Sequence, residues 1–115
     1  MLIQSLGYFG WSCYPSKVAP TPKGFKSNYI DTFHALCREL GIRVGFLVES
    51  YQTVWVPGSR PWSKAERQRW FVERPDMPGS EPPVFCPNGP FTDEYLIPYA
   101  LECIEHYQPA AYWFD

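Results

Sequence analysis

Residues 28–48 read NYIDTFHALCRELGIRVGFLV, and this stretch decides the fold. Asn28 is a favourable N-cap, and Asp31 lies in the first turn, where a negative charge suits the helix dipole. Gly41 is placed as the glycine that follows a helix. Apolar residues recur between them at steps of three, four and three, as on one face of a helix: Ile30, Phe33, Cys37 and Leu40. The stretch therefore predicts a helix that ends at Gly41.

The segment IRVGFLV (42–48) follows that glycine directly. It is rich in β-branched and aromatic residues, and its apolar run is nearly continuous rather than alternating. Such runs are typical of parallel strands that are covered on both faces. The sequence therefore predicts a helix joined by a very short connection to a buried parallel strand.

The same pattern extends in both directions along the chain. MLIQSL (1–6) and AAYWF (110–114) are predicted strands. A second helix is predicted to be capped by Thr92 and to end before Pro109. Pro98 lies too deep in it for an ideal first turn, which predicts a kink or an irregular start. Its apolar face is predicted from three residues: Ile97, Leu101 and Ile104.

The order strand, helix, strand, helix, strand predicts an α/β fold with parallel strands and crossover helices. Two βα units do not close a sheet, so the chain is either a small open sheet or part of a (β/α)₈ TIM barrel. Connections after helices are short and those after strands are long, which favours the partial barrel. Residues 1–115 are then a part of one barrel domain. Residues 49–91 form a long insertion, with a predicted helix at 63–72 that starts in a capping box of Ser63 and Glu66.

Composition and charge exclude several classes of protein. Aromatics make up 18% of the chain, which argues against a disordered protein. The net charge of −2, without a basic cluster, argues against nucleic-acid binding. No stretch has the length of a membrane span, and the N-terminus lacks a signal-peptide pattern, so a cytoplasmic location is favoured. The four cysteines and two histidines have no zinc-ligand spacing, and buried, reduced cysteines are expected. No metal or cofactor is predicted.

Parallel strands end at a common edge, so the residues that follow the three strands are expected to meet there. Aromatic rings stack on sugars and paired carboxylates hydrolyse glycosidic bonds, so this edge is a candidate carbohydrate site. A packing role under the loop is the alternative for Trp11 and Tyr14, and a surface or salt-bridged position for Lys17. His34 is expected to be structural. The candidate substrate-binding residues are Tyr8, Trp11, Tyr14, Lys17, Glu49, Tyr51 and Trp55.

Three stretches in order carry a resemblance to a known family. They are YPSKVAP (14–20), FKSNYIDTFHALCRELGIRVGFLVE (25–49) and CPNGPFTDEYLIPYALECIEHYQPAAYWFD (86–115). Together they resemble the N-terminal half of the α-L-fucosidase-like glycoside hydrolases, in particular the bacterial set described as hypothetical glycosyl hydrolase 6. The resemblance covers nearly the whole chain and implies that residues 1–115 are the N-terminal portion of a glycoside hydrolase catalytic TIM-barrel domain.

The resemblance also implies roles for individual residues. The family carries a W-x-D-G segment at the end of the fourth barrel strand, and Trp113 and Asp115 match its W-x-D part. Asp115 is thereby expected to be the nucleophile of a retaining mechanism. The acid/base is expected from a later part of the same polypeptide. Glu49 is then a residue that binds the sugar or supports its site, or else a loop glutamate bonded to Ser50 or solvent. The family's sugar-binding histidines are replaced by Gly7 and Tyr8.

A second function remains open from the sequence. The chain could be a non-catalytic carbohydrate-binding or interaction module that uses its aromatic loops as a platform. Both alternatives predict a carbohydrate as the ligand. They differ in whether a carboxylate at the end of the last strand reacts with it.

Overall fold

A parallel three-stranded sheet forms the centre of the protein in a computed structural model. The structure describes residues 1–8, 11–25, 29–48, 62–72, 84–86 and 88–114, without the side chains of Tyr8 and Val84. The sheet has the order β1 (Leu2–Ser5), β4 (Val44–Val48) and β7 (Ala111–Phe114), so strands that are successive in the βα pattern are neighbours. The register pairs Ile3 with Gly45 and Gly45 with Ala111. The prediction of parallel strands in an α/β fold is confirmed.

The remaining strands are short and antiparallel. β2 (Gly7–Tyr8) and β3 (Trp11–Ser12) form a hairpin that directly follows β1. β5 (Phe71–Val72) pairs with β6 (Val84–Phe85). The second pair lies in the predicted insertion, which therefore has secondary structure of its own.

Three α-helices accompany the strands in the described part of the chain. α1 (Tyr29–Glu39) ends before Gly41, whose φ of +68° is the left-handed conformation expected of that glycine. α2 (Lys64–Trp70) begins in the predicted capping box, where Ser63 and Glu66 bond each other's backbone N–H. α3 (Ile97–Tyr107) ends at Gln108, which has φ 49° and ψ 55°. The predicted cap Asn28 lies outside the described residues.

α3 is preceded by a π-helical turn, Thr92–Leu96, in which the N–H of Ile97 donates to the carbonyl of Thr92. Pro98 has no N–H for the carbonyl four residues before it, so a regular α-helix cannot run through this point. The prediction of an irregular start is confirmed. The prediction that Thr92 caps the helix is wrong, because the helical backbone has already begun at Phe91.

The prediction of which residues form the apolar face of α3 is also wrong. Ile97, Leu101 and Ile104 are exposed, and the buried face consists of residues four apart: Tyr95, Tyr99, Cys103 and Tyr107. Tyrosine rings bury a large area and keep a hydroxyl for hydrogen bonding, so the aromatic stripe prevails over the aliphatic one. In α1, Ile30 and Cys37 are buried as predicted, whereas Leu40 is exposed.

The core has two aromatic parts. The first, named here the tyrosine group, lies between α3 and the sheet and consists of Tyr14, Tyr99, Tyr107 and Tyr112. The second, the tryptophan cluster, joins α2 and the β5–β6 pair to the π turn and consists of Trp62, Trp70, Phe71, Phe85, Phe91 and Tyr95. Phe46 of β4 is fully buried beneath the tyrosine group and contacts the ring of Tyr107.

Candidate active site at the carboxyl edge of the sheet

The parallel strands place Ser5, Val48 and Phe114 at one edge, where β1, β4 and β7 end. The chain after β1 stays close to this edge, because the Leu6 N–H donates to the Leu47 carbonyl at 3.2 Å. The Cys13 N–H, after the hairpin, donates to the Leu6 carbonyl at 2.8 Å. The β2–β3 hairpin is thereby tied to the carboxyl edge on both sides.

Two features of the sequence fix this hairpin. A Cβ at Gly7 would lie 2.5 Å from the Trp11 carbonyl oxygen, so only glycine allows the two strands to approach this closely. The Tyr99 hydroxyl of α3 donates to the Leu6 carbonyl at 2.9 Å and lies 3.3 Å from Ser12 Oγ. The buried hydroxyl thereby satisfies polar groups at the base of the hairpin.

The predicted site residues separate into three sets. Trp11 is half-buried in β3, and its backbone pairs with that of Tyr8 in β2. Tyr14 and Lys17 lie beside α3 rather than at the carboxyl edge. The remaining predicted residues lie outside the described part of the chain: Glu49, Tyr51, Trp55 and Asp115.

Tyr14 has a packing role in the structure. Its ring is 2% exposed and stacks on Tyr99 with a centroid distance of 5.7 Å. Its hydroxyl donates to Glu102 Oε2 at 2.9 Å. Burial raises the pKa of the Tyr14 phenol, with Tyr99 and Glu102 adding to the effect. The ring thus has the packing position that the sequence left as the alternative, and a contact of Tyr14 with a sugar stays a prediction.

Glu102 of α3 is the polar anchor of the 14–19 loop. One of its oxygens accepts hydrogen bonds from the hydroxyls of Tyr14 and Ser16, and the other accepts from the Lys17 N–H at 2.7 Å. The Ser16 hydroxyl in turn accepts from the N–H groups of Val18 and Ala19. The Lys17 side chain lines an open groove along α3, beside Leu101 and Glu105. The conformation of the PSK stretch therefore depends on one carboxylate.

The sequence interpretation missed both Tyr99 and Glu102. A signal was present, because Tyr95, Tyr99, Cys103 and Tyr107 recur at steps of four, as a buried helical face does. Glu102 carries no comparable signal. Its partner is 88 residues away in the sequence, and only the packing of the loop on α3 brings them together.

Exposed aromatic rings do occur at the carboxyl edge. Trp113 and Phe114, the last two residues of β7, are 57% and 52% exposed. The register places Trp113 beside Leu47, on the face of the sheet opposite to the buried Phe46. Large exposed rings at a strand end are available for a ligand such as a sugar.

The described histidine, cysteine and carboxylate side chains do not form a metal-binding group. Within the described ranges, no three of these side chains are placed to hold a metal ion. All four cysteines are free, and burial raises the pKa of the Cys103 thiol to about 12, which makes it unreactive. His34 is structural as predicted, because its ring packs on Phe46 and Tyr107. None of the described helices is long and apolar enough to cross a membrane.

Comparisons with known proteins add no relative. No family model, no curated protein and no solved structure matches this chain.

Proposed function

We propose that this chain is the N-terminal portion of a retaining, fucosidase-like glycoside hydrolase, with Asp115 as its nucleophile. The parallel sheet is the single observation that carries the proposal, since a (β/α)₈ barrel requires neighbouring parallel strands in chain order. The resemblance of three ordered stretches to these hydrolases supplies the reaction class. The remaining strands and the acid/base would come from the rest of the same polypeptide.

The strand register supports a carboxylate site at this edge. Val48 pairs with Phe114, and these residues immediately precede Glu49 and Asp115 in the sequence. Side chains alternate between the two faces, so positions 49 and 115 are predicted to share the face of Leu47 and Trp113. Neighbouring strands lie about 4.8 Å apart, which would bring two carboxylates within reach of one sugar ring. In this proposal Asp115 reacts and Glu49 binds.

The surroundings also suit a neutral ligand. Trp113 and Phe114 offer exposed rings, and the chain has a net charge of only −2. Gly7 stands where the fucosidases have a histidine, and a side chain there would collide with the Trp11 carbonyl. The proposal therefore concerns the reaction and a carbohydrate substrate, and does not extend to fucose.

The proposed chemistry proceeds in two displacements. The Asp115 carboxylate attacks the anomeric carbon, the glycosidic C–O bond breaks, and the leaving oxygen takes a proton from the acid/base. Water, deprotonated by the same acid/base, then attacks the glycosyl ester and releases the sugar and the carboxylate. A rigid strand suits the nucleophile because little further entropy is lost in placing it.

Mechanism-based labelling tests the assignment. The longest natural polypeptide containing this chain is incubated with 2-deoxy-2-fluoro glycosyl fluorides, and the protein is analysed by peptide mass spectrometry. We expect one label, on Asp115, and a loss of aryl-glycoside hydrolysis of about 10³-fold or more in Asp115→Asn. Glu49→Gln is the matched control and is expected to raise KM more than it lowers kcat. Unchanged hydrolysis by Asp115→Asn would refute the nucleophile. Saturable sugar binding without any turnover would favour the binding module.

A further inference from the structure

A cleft at the opposite, amino edge of the sheet has the features of an anion site. It lies where α1 and α3 end and where β4 and β7 begin, and its volume is about 330 Å³. That size is within the range of small-molecule sites, which begins at about 300 Å³. Arg38, Arg43 and His34 are among the residues that line it. From this lining we propose a site for a phosphate group of a small molecule, a function separate from the proposed hydrolase.

The charges at the cleft favour an anion. None of the described aspartates and glutamates lines it, and the salt bridges between described residues do not involve Arg38 or Arg43. The carboxyl ends of α1 and α3 contribute roughly −0.5 charge each, which two guanidiniums more than balance. Asp31, which accepts a hydrogen bond from the Tyr107 hydroxyl beside the cleft, offsets part of this positive charge.

Side chains would have to supply the hydrogen bonds to an anion. The N–H groups of Gly41, Ile42, Gln108 and Ala110 are already bonded to backbone carbonyls, and Pro109 has none. The charged donors among the lining residues belong to Arg38 and Arg43. Arginine presents its donors in a planar fork that matches two phosphate oxygens.

The walls of the cleft are well defined. The His34 ring packs on Phe46 and Tyr107, with centroid distances of 6.1 and 5.3 Å. A Cβ at Gly41 would meet no atom within 4 Å, so the space beside that turn is open. The packed ring and the open turn leave space for a ligand in a cleft that Arg38 and Arg43 help to line.

Titration of the 115-residue chain with inorganic phosphate and with glucose 6-phosphate tests the site, with glucose as the uncharged probe. Backbone NMR shifts are expected to move saturably at residues 34, 41–44 and 107–110. Arg38→Gln and Arg43→Gln should each weaken binding about tenfold, the equivalent of one charged hydrogen bond. Arg67→Gln is the matched control, because Arg67 is an exposed arginine on α2, outside the cleft.

Retention of affinity in Arg67→Gln, together with its loss in the two cleft variants, would support the site. Lysine substitutions at both positions preserve charge but remove the fork, and they should recover only part of the affinity. Equal weakening by all three glutamine variants would show general charge attraction and overturn the proposal. Shift changes spread over the surface, or none, in the unsubstituted protein would overturn it without reference to any variant.

Discussion

The tyrosine group and the tryptophan cluster are held together in different ways. Each hydroxyl of the tyrosine group has a partner elsewhere in the chain: Glu102 for Tyr14, Leu6 for Tyr99, Asp31 for Tyr107 and Ala100 for Tyr112. The tryptophan cluster relies mainly on ring contacts, such as Trp62 edge-on to Trp70 and Phe85. Hydrogen bonds are directional and ring packing is less so. The first region therefore specifies how distant elements meet, and the second stabilises the insertion.

The largest expected effect is a loss of stability, and the two regions should differ in how many residues lose amide protection. Phe46→Ala should destabilise the protein by about 3–5 kcal/mol and lower amide protection throughout β1, β4 and β7. Trp62→Ala removes a ring of comparable burial, but the loss of protection should be confined to the tryptophan cluster, within residues 62–72, 84–86 and 88–96. Hydrogen exchange with mass spectrometry measures both. Equal loss of sheet protection in Trp62→Ala would show that the tryptophan cluster is part of the same cooperative unit.

A smaller effect is expected at the anchor of the 14–19 loop. Glu102→Ala leaves two hydroxyls and the Lys17 N–H without their acceptor, and it should cost about 2–3 kcal/mol of unfolding free energy. Glu105→Ala, one turn along on an exposed position of the same helix, is the control and should change stability by less than about 0.5 kcal/mol. Urea denaturation measures both variants. A similar cost for the two would mean that the loop is held by packing alone.

The smallest effect concerns the surface of the tryptophan cluster. Glu94 accepts from the Arg69 guanidinium and from Trp70 Nε1, and these bonds lower the pKa of the Glu94 carboxyl from 4.5 to about 2. A lowered pKa in the folded state means that the ionised carboxylate stabilises the cluster at pH values above about 4.5. This contribution is lost as pH falls from about 4.5 to about 2.

Carboxyl NMR titration measures this pKa directly. In Arg69→Gln it should move back toward 4.5, and added salt should have a weaker effect of the same sign. The Glu94 carboxylate is exposed, so the melting temperature of Arg69→Gln should differ little from that of the unsubstituted protein. An unchanged Glu94 titration in Arg69→Gln would show that Arg69 does not hold the carboxylate.

Local patterns predicted the elements of the fold better than their contacts. The helix that ends before Gly41, the strand after it, the Ser63 capping box and the break at Pro98 all follow from residues close together in the sequence. The buried face of α3 did not follow, because aliphatic residues and tyrosines compete for it and only tertiary packing decides. Glu102 was missed because no residue near it in the sequence indicates its distant partners.

The candidate site shows the same limit. Strand ends and their common edge follow from alternation of strands and helices, and the structure confirms the edge. The depth of Tyr14 and the position of Lys17 beside α3 depend on how one loop folds back over 85 or more residues. Glu49, Tyr51, Trp55 and Asp115 lie outside the described residues, and their roles stay predictions.

The π turn before α3 lets one column of rings run through both aromatic regions. Residues four apart on an α-helix drift by about 40° around its axis at each step, because a turn holds 3.6 residues. A π turn holds more than four residues, so residues four apart across it drift around the axis in the opposite direction. Phe91 and Tyr95 stack across it at 5.2 Å, and Tyr95 and Tyr99 stack at 6.1 Å. The wider turn thus offsets part of the angular error that would otherwise turn Phe91 away from its neighbours.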